Sequence, residues 1–285
     1  MLQDLVKLSR PTHWVKNVFV FLPVPFALAS GAHLDIAGFG AGLLSICLAA
    51  SAVYALNDAV DAERDRMHEE KRHRPIAAGR ISRPVAYAWS ALLMTVSLGL
   101  AYATGKPTAL ALVIVYAVTN LIYSLGAKHV PLLDVFLLSG WYLLRALLGC
   151  ALLQVEASSW LLLCSFSLAL FLSLTKRRAD LVKGLGSDHR PALDGYTEGF
   201  LDQAIGIAAG MTLLSYAIYS MESAVLIPER KFAALPFVVF GVLDYLRMAH
   251  VRRSGGAPVE MLLRSPTLLL AGVGWLSATV WSLRL

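Results

Sequence analysis

Residues 36–56 run for 21 positions without a single Asp, Glu, Lys, Arg or His. A helix of that length crosses the roughly 30 Å hydrocarbon core of a bilayer. Eight further mainly apolar runs lie at residues 17–32, 84–104, 107–124, 131–153, 159–175, 203–221, 231–247 and 266–283. A 285-residue chain that is 57% hydrophobic and 15% charged is too apolar for an ordinary water-soluble domain. The expected fold class is an all-α membrane protein with nine transmembrane helices, in a single domain over residues 1–285. Pro23, Pro25 and Pro236 interrupt the first and eighth runs. Proline is tolerated in membrane helices where neighbours satisfy the freed carbonyl.

The basic residues set the expected orientation. Nine crossings put residues 1–16, 57–83, 125–130, 176–202 and 247–265 on one side, with 20 of the 25 Lys and Arg. Lys106, Arg230, Lys231 and Arg284 fall on the other side, and Arg145 lies inside a run. The positive-inside rule then predicts a multi-pass protein of the inner (cytoplasmic) membrane, with its N-terminus and long polar loops in the cytoplasm. The net charge of +6 suits anionic lipid, and no segment has the form of a nucleic-acid-binding module. Cys47, Cys150 and Cys164 each fall inside a run, with no CxxC pair, and read as buried apolar residues. The first run has no small-residue cleavage site, so no signal peptide is expected. Residues 2–10 suit a short helix on the inner membrane surface, and Trp14 suits an interface anchor.

The second run ends in the most charged stretch of the chain, residues 57–75. On one continuous helix at about 100° per residue, Asn57, Asp58, Asp61, Asp65 and His68 share a face about 100° wide. Carboxylates that close repel unless a cation sits among them. Oxygen ligands suit Mg²⁺, which usually takes one or two carboxylates together with substrate phosphates. Lys71, Arg72, His73 and Arg74 then offer donors for phosphate oxygens, although such a run also reads as a solvated loop. The helix is expected to break at Arg74-Pro75.

Other polar residues mark the ends of the runs. Lys16 and Asn17 stand at the start of the first, where Lys16 also reads as a simple flanking charge. Tyr123 and Lys128 lie around the short loop at residues 125–130, where Lys128 can hold a phosphate as a point charge. Asp134 and Arg145 sit inside the fifth run, eleven residues and roughly 16 Å apart along one helix. Arg145 is expected to face the interior, held by a buried acid or by carbonyls. Lys176, Arg177, Arg178 and Asp180 close the sixth run. Asp194, Glu198 and Asp202 follow at helical spacing, as a second metal face or as solvated acids. His73-Arg74-Pro75 recurs as His189-Arg190-Pro191, and residues 247–265 read as a basic, glycine-rich connection.

With these residues in place the chain resembles the UbiA superfamily of intramembrane prenyltransferases. That family's NDxxDxxxD pattern stands complete as Asn57, Asp58, Asp61 and Asp65. Within it the chain is similar to the decaprenyl-phosphate phosphoribosyltransferase branch. The shared features are Arg10-Pro11, Trp14 and Lys16-Asn17, the Lys71–Pro75 run, Tyr123-Ser124 with Lys128, and Lys176-Arg177 with Asp180-Leu181. Asp180 replaces a glutamate there. Where ordinary superfamily members carry a second acidic motif, this chain has a basic cluster.

The resemblance implies a UbiA-like bundle with its active site facing the cytoplasm. It implies Mg²⁺ on Asn57, Asp58, Asp61 and Asp65. It gives catalytic roles to Asp58, Asp61, Asp65, Lys176 and Arg177. It gives substrate contacts to Lys16, Asn17, Asn57, Lys71, Arg72, Arg74, Tyr123, Lys128, Asp134, Arg145 and Asp180. The implied reaction moves a 5-phosphoribosyl group from phosphoribosyl diphosphate to a polyprenyl phosphate, in synthesis of an arabinose donor for the cell envelope. Holding three anionic groups together explains the extra Lys and Arg. Homo-oligomerisation is compatible with this fold. The competing readings are a prenyltransferase acting on an aromatic or other small acceptor and a lipid-phosphate transporter. A transporter would carry its charges near the midplane rather than at one face.

Overall fold

The computed structural model describes residues 1–67, 71–184, 191–251, 261 and 265–284. Among the described residues the regular secondary structure is helical, apart from one isolated bridge between Leu226 and Leu283. The helices are α1 (Leu2–Ser9), α2 (Val24–Ala29), α3 (Ile36–Val60), α4 (Ala62–Met67), α5 (Arg83–Ala103) and α6 (Pro107–Leu125). They continue with α7 (Leu133–Leu153), α8 (Ser159–Val182), α9 (Glu198–Glu222), α10 (Leu235–Val251) and α11 (Pro266–Ser282). Among the described residues, seven helical segments are long and apolar enough to cross a bilayer: α3, α5, α6, α7, α8, α9 and the stretch Pro228–Val251 that contains α10.

The first and last expected spans differ from the rest. Residues 17–32 are not one α-helix: a 3₁₀ helix covers Pro11–Phe21, and the six-residue α2 follows. Pro23 and Pro25 have no backbone N–H to donate, so an α-helix cannot run through them unbroken. The last segment, α11, has 17 residues. At 1.5 Å per residue it reaches about 26 Å, slightly less than the hydrocarbon core. Pro236 falls in the first turn of α10, where a missing N–H costs nothing, and the eighth span stays helical.

The chain divides into two compact units. Unit 1 comprises Met1–Val24, His33–Ala127 and Leu144–Glu156; unit 2 comprises Pro25–Ala32, Lys128–Leu143 and Ala157–Leu285.

In unit 1, α3 packs chiefly on α5. Asp35 caps α3 by accepting from the Gly38 N–H at 3.0 Å. Ser45 and Ser97 each donate their hydroxyl to the other's carbonyl at 2.8 Å, and Ser90 donates to the Ala52 carbonyl at 2.8 Å. Small residues let two helices approach closely where lipid offers no hydrophobic drive between them. Gly42 serves the same end: a Cβ there would lie 2.4 Å from Leu152. Helix α1 does more than rest on a membrane surface. Leu5 and Leu8 are buried with Ala55, Ala59, Ala62, Ile76 and Ile81, while Leu2 and Val6 stay exposed. Trp14 is likewise tied inward, its Nε1 donating to Ser51 Oγ at 2.9 Å.

In unit 2, α8 packs on α9 and α10 packs on α11. Phe171 and Leu174 of α8 share a core with Leu201, Ile205 and Ala208 of α9 and Tyr245 and Met248 of α10. The outward faces carry Ile207, Leu214, Leu243, Leu270 and Val273, as suits contact with lipid tails. Cys47 and Cys150 are buried and Cys164 is half-buried, all as free thiols.

Candidate active site

The polar end of α3 brings the acidic motif to unit 1. The helix does not continue unbroken through it. α3 ends at Val60, Asp61 takes φ −86° and ψ 3°, and α4 resumes at Ala62. The face drawn on one continuous helix is therefore bent at Asp61. The bend leaves Asp58 and Asp65 converging on one point. Arg74 Nη1 lies 2.9 Å from Asp58 Oδ1 and 2.7 Å from Asp65 Oδ2. Arg10 Nη2 reaches both oxygens of Asp58, at 2.6 and 2.8 Å. Asp58 and Asp65 are each only 3% exposed, so these pairs are shielded from water.

Arg10 reaches Asp58 because it ends α1 in a left-handed conformation, φ 47° and ψ 57°, which turns the chain toward α3. Its guanidinium also lies 5.1 Å from the centre of the Tyr54 ring. Burial raises the pKa of Asp65, and Asp58's charge adds to that, while Arg74 pulls it back. Asn57 is engaged with α6, accepting a short hydrogen bond from Ser124 Oγ. Asp61 is half-exposed at the bend. His68 lies outside the described residues.

Among the described residues, no three of His, Cys, Asp or Glu come together as a metal site. The converging pair is Asp58 and Asp65, with a cationic nitrogen between them. This donor set fits Mg²⁺, which needs few carboxylates and completes its shell with phosphate and water. The Arg74 nitrogen marks where a cation is stabilised.

A second polar group lies deeper in unit 1. Arg145, 4% exposed, donates its Nε to Asn17 Oδ1 at 2.7 Å and its Nη2 to the Tyr116 hydroxyl at 3.3 Å. Its guanidinium lies 5.1 Å from the Tyr116 ring centre. Asn17 Nδ2 in turn donates to Cys47 Sγ at 3.0 Å. Half-buried Lys16 has its pKa pushed down to about 8, first by burial and then by the charges of Arg145 and Arg10. Lys16 is thus more than a charge flanking a membrane span. Of the basic run, Lys71 and Arg72 lie on a short 3₁₀ helix, Lys71–His73, with Arg72 exposed. Tyr123, at the end of α6, is half-buried.

Unit 2 holds the remaining candidates. Arg177 Nε donates to Asp134 Oδ2 at 2.6 Å, and Tyr196 donates its hydroxyl to Asp134 Oδ1 at 2.8 Å. The Tyr196 oxygen accepts the Leu132 N–H at 2.6 Å. Asp180 follows Arg177 by three residues, its Oδ2 lying 3.8 Å from Arg177 Nη1. Lys128 and Lys176 are half-buried. Asp202 pairs with Arg178 and lies 3.1 Å from His250 Nε2, while Asp194 and Glu198 are exposed. Asp202 therefore serves an ion pair, and the other two acids face outward. His189 and Arg190 of the repeated tripeptide lie outside the described residues.

Three participants were not among the expected contacts. Arg10 had a signal, since it opens the Arg10-Pro11 motif. Tyr116 had none, because a lone tyrosine in an apolar run looks like core, and Tyr196 had none within the polar segment 176–202.

Comparison with known proteins agrees with this architecture. The chain is 34% identical over 286 residues to the decaprenyl-phosphate phosphoribosyltransferase of Corynebacterium glutamicum, covering 97% of this chain and 85% of that one. It is 32% identical over 285 residues to the Mycobacterium tuberculosis enzyme of the same name, covering 97% and 93%. The structure of a UbiA homologue from Archaeoglobus fulgidus bound to GPP and Mg²⁺ superposes with a TM-score of 0.75 at 18% identity, covering 98% and 97% of the two chains. Residues 17–254 match the UbiA prenyltransferase family, and this integral membrane protein belongs to it.

Proposed function

We propose that this protein transfers the 5-phosphoribosyl group of phosphoribosyl diphosphate to a polyprenyl phosphate of the decaprenyl type. Relatives at 32–34% identity over 97% of the chain carry the name of that activity. The observation that supports the donor choice is the set of cations gathered in unit 1: Arg10 and Arg74 share Asp58, Arg145 is buried beside Asn17 and Tyr116, and Lys16 is half-buried. Like charges gathered in a half-buried place are costly until anions join them. A prenyl diphosphate brings one anionic group. Phosphoribosyl diphosphate and a lipid phosphate bring three.

In this reading a lipid-phosphate oxygen attacks ribose C1, and the bond from C1 to the diphosphate oxygen breaks. A phosphate is already ionised, so no strong general base is needed. Asp58 and Asp65 would hold a divalent cation, which would supply charge neutralisation for the departing diphosphate. Arg74, which pairs with both carboxylates, would offer its guanidinium to phosphate oxygens beside that place. Lys16, Arg10 and Arg145 supply positive charge for a phosphate group within unit 1. Lys71, Arg72, Lys128 and Lys176 contribute further phosphate donors, with Tyr123 and Asn57 orienting neighbours.

The same reading takes the chain as one functional domain with nine membrane crossings, counting the broken first segment and the short last one. The excess of Lys and Arg in the loops supports a cytoplasmic face for the acidic motif and residence in the cytoplasmic membrane.

The second reading is prenyl transfer to an aromatic acceptor. Its support is the GPP and Mg²⁺ in the Archaeoglobus homologue. The test is an assay of purified protein in nanodiscs, with and without Mg²⁺. One arm supplies phosphoribosyl diphosphate with decaprenyl phosphate, and the other a prenyl diphosphate with 4-hydroxybenzoate. Diphosphate release and a pentosylated lipid are expected in the first arm only. Prenylated benzoate, with phosphoribosyl diphosphate untouched, would replace the first reading with the second.

A further inference from the structure

Arg177 and Asp180 leave one donor and one acceptor unmet inside unit 2. Arg177 is 0% exposed, and its buried Nη2 has no hydrogen-bond partner. Asp180 is 7% exposed, and its buried Oδ2 has none either. The 3.8 Å between Arg177 Nη1 and that oxygen is too long for a hydrogen bond. Orphaned buried polar atoms are rare in native proteins because each forfeits its hydration without return.

Arg177 is held in place by other bonds. Arg177 Nε is fixed by Asp134 at 2.6 Å, Asp134 is fixed by Tyr196 at 2.8 Å, and Tyr196 by the Leu132 N–H at 2.6 Å. This chain of hydrogen bonds holds the guanidinium plane while leaving Nη2 without a partner. The unmet donor and the unmet acceptor belong to residues one helical turn apart on α8.

Their chemistry selects the occupant. A phosphate would satisfy Arg177 and be repelled by Asp180. A metal ion would satisfy Asp180 and be repelled by the guanidinium. Asp134, Arg177 and Asp180 together carry a formal charge of −1, which disfavours an anion further. A hydroxyl group meets both needs, since its oxygen accepts from Nη2 while its hydrogen goes to Oδ2.

We propose that Arg177 Nη2 and Asp180 Oδ2 form a hydroxyl-recognition subsite, and that the hydroxyl is one of the two on the ribose ring of the donor. The inference rests on the phosphoribosyl reading and makes it more specific. It gives Arg177 a role other than clamping phosphate, and it makes Asp180 a specificity residue. A prenyl diphosphate has no hydroxyl to place there, whereas a site built to bond a hydroxyl rejects the analogue that lacks it.

The test measures binding of three stable probes to the full-length protein in nanodiscs: carbocyclic phosphoribosyl diphosphate and its 2-deoxy and 3-deoxy counterparts. Wild type is expected to bind one deoxy probe about ten- to a hundredfold more weakly than the parent, as for a hydrogen bond to a charged group. Asp180→Ala should weaken the parent while sparing that deoxy probe, bringing the ratio below about threefold. The Mg²⁺ dependence of parent binding should not move. Asp180→Asn keeps the shape and loses the charge, and should reduce the ratio at least about threefold; it decides the matter if the alanine variant does not fold.

An equal loss for all three probes would mean a trapped water or a structural role, and would overturn the subsite. So would a shift in Mg²⁺ dependence with the ratio intact. Wild type binding all three probes within about threefold overturns it without any variant. Failure of wild type to bind even the parent overturns both this subsite and the phosphoribosyl reading. Normal binding and transfer with an unchanged ratio in the variants overturns the subsite alone.

Discussion

Arg177 and Asp134 meet at 2.6 Å through Nε and Oδ2, with side chains only 1% and 0% exposed. Removing one member of such a pair strands a charge in the interior and costs about 3–5 kcal/mol, whereas replacing both by apolar groups is often neutral. Asp134→Leu should therefore lower the thermal midpoint of the detergent-solubilised protein sharply. Asp134→Leu combined with Arg177→Met should recover most of the loss. Intrinsic tryptophan fluorescence during heating reads both. An Asp134→Leu protein as stable as wild type would show that the pair contributes nothing to the fold.

The acidic motif makes a prediction that needs no turnover. Arg74 occupies the point on which Asp58 and Asp65 converge. Removing it leaves two buried carboxylates without that counter-charge, and a divalent cation then binds more readily. Arg74→Gln should tighten Mg²⁺ binding severalfold, measured as Mg²⁺-dependent thermal stabilisation without substrate. Asp65→Ala should abolish that stabilisation while the protein stays monodisperse. Stabilisation by Mg²⁺ that survives in both Asp58→Ala and Asp65→Ala would remove the cation from this place.

Much of this arrangement was legible in the sequence because the membrane restricts the alternatives. Apolar runs of bilayer length must be helices, and α3, α5, α6 and α7 fall within about four residues of where the runs predict them, while α8 continues through Val182 past its expected end at 175 and α9 starts at Glu198 rather than 203. The first run was legible as interrupted, from Pro23 and Pro25, but hydropathy carries no sign that its backbone is a 3₁₀ helix followed by the short α2. The acidic motif was legible as a set, but its shape was not. A bend at Asp61 is a backbone event with no composition signal, and the placing of Arg74 between Asp58 and Asp65 has none either. The partner of Asp134 was also hidden. Arg145 stands on the same helix but about 16 Å along it; Arg177 of another helix holds Asp134, and Arg145 meets Asn17 and Tyr116. Pairing between helices depends on packing, which one-dimensional spacing does not record.

Orientation follows from the charge bias and can be read with a single cysteine. Glu63, on the acidic-motif side, has a side chain 75% exposed, and Thr108, near the α5–α6 turn, is also exposed. In intact cells of a cysteine-free background, a membrane-impermeant maleimide should label Thr108→Cys and miss Glu63→Cys. The reverse pattern would put the acidic motif outside the cell, away from a cytoplasmic supply of phosphoribosyl diphosphate.

Lys16 makes a pH prediction in which activity and stability move in opposite directions. Its pKa stands at about 8 in the folded protein, against 10.5 for an ordinary lysine, because of burial and then Arg145 and Arg10. As a phosphate ligand it must carry its proton. The value of kcat/KM, which reports the free enzyme, should therefore fall as pH rises past about 8. Between about 8 and 10.5 the unfolded chain holds this proton more tightly than the folded one, so this group makes stability rise with pH across the same window. A loss of rate there cannot then be assigned to Lys16-driven unfolding. A bound phosphate restores the charged form, so the same limb in kcat should lie at higher pH. Lys16→Arg keeps the charge at every accessible pH and should flatten the alkaline limb, even though its fork geometry lowers the overall rate. A limb near pH 8 that persists in Lys16→Arg would belong to another group and would detach Lys16 from phosphate binding.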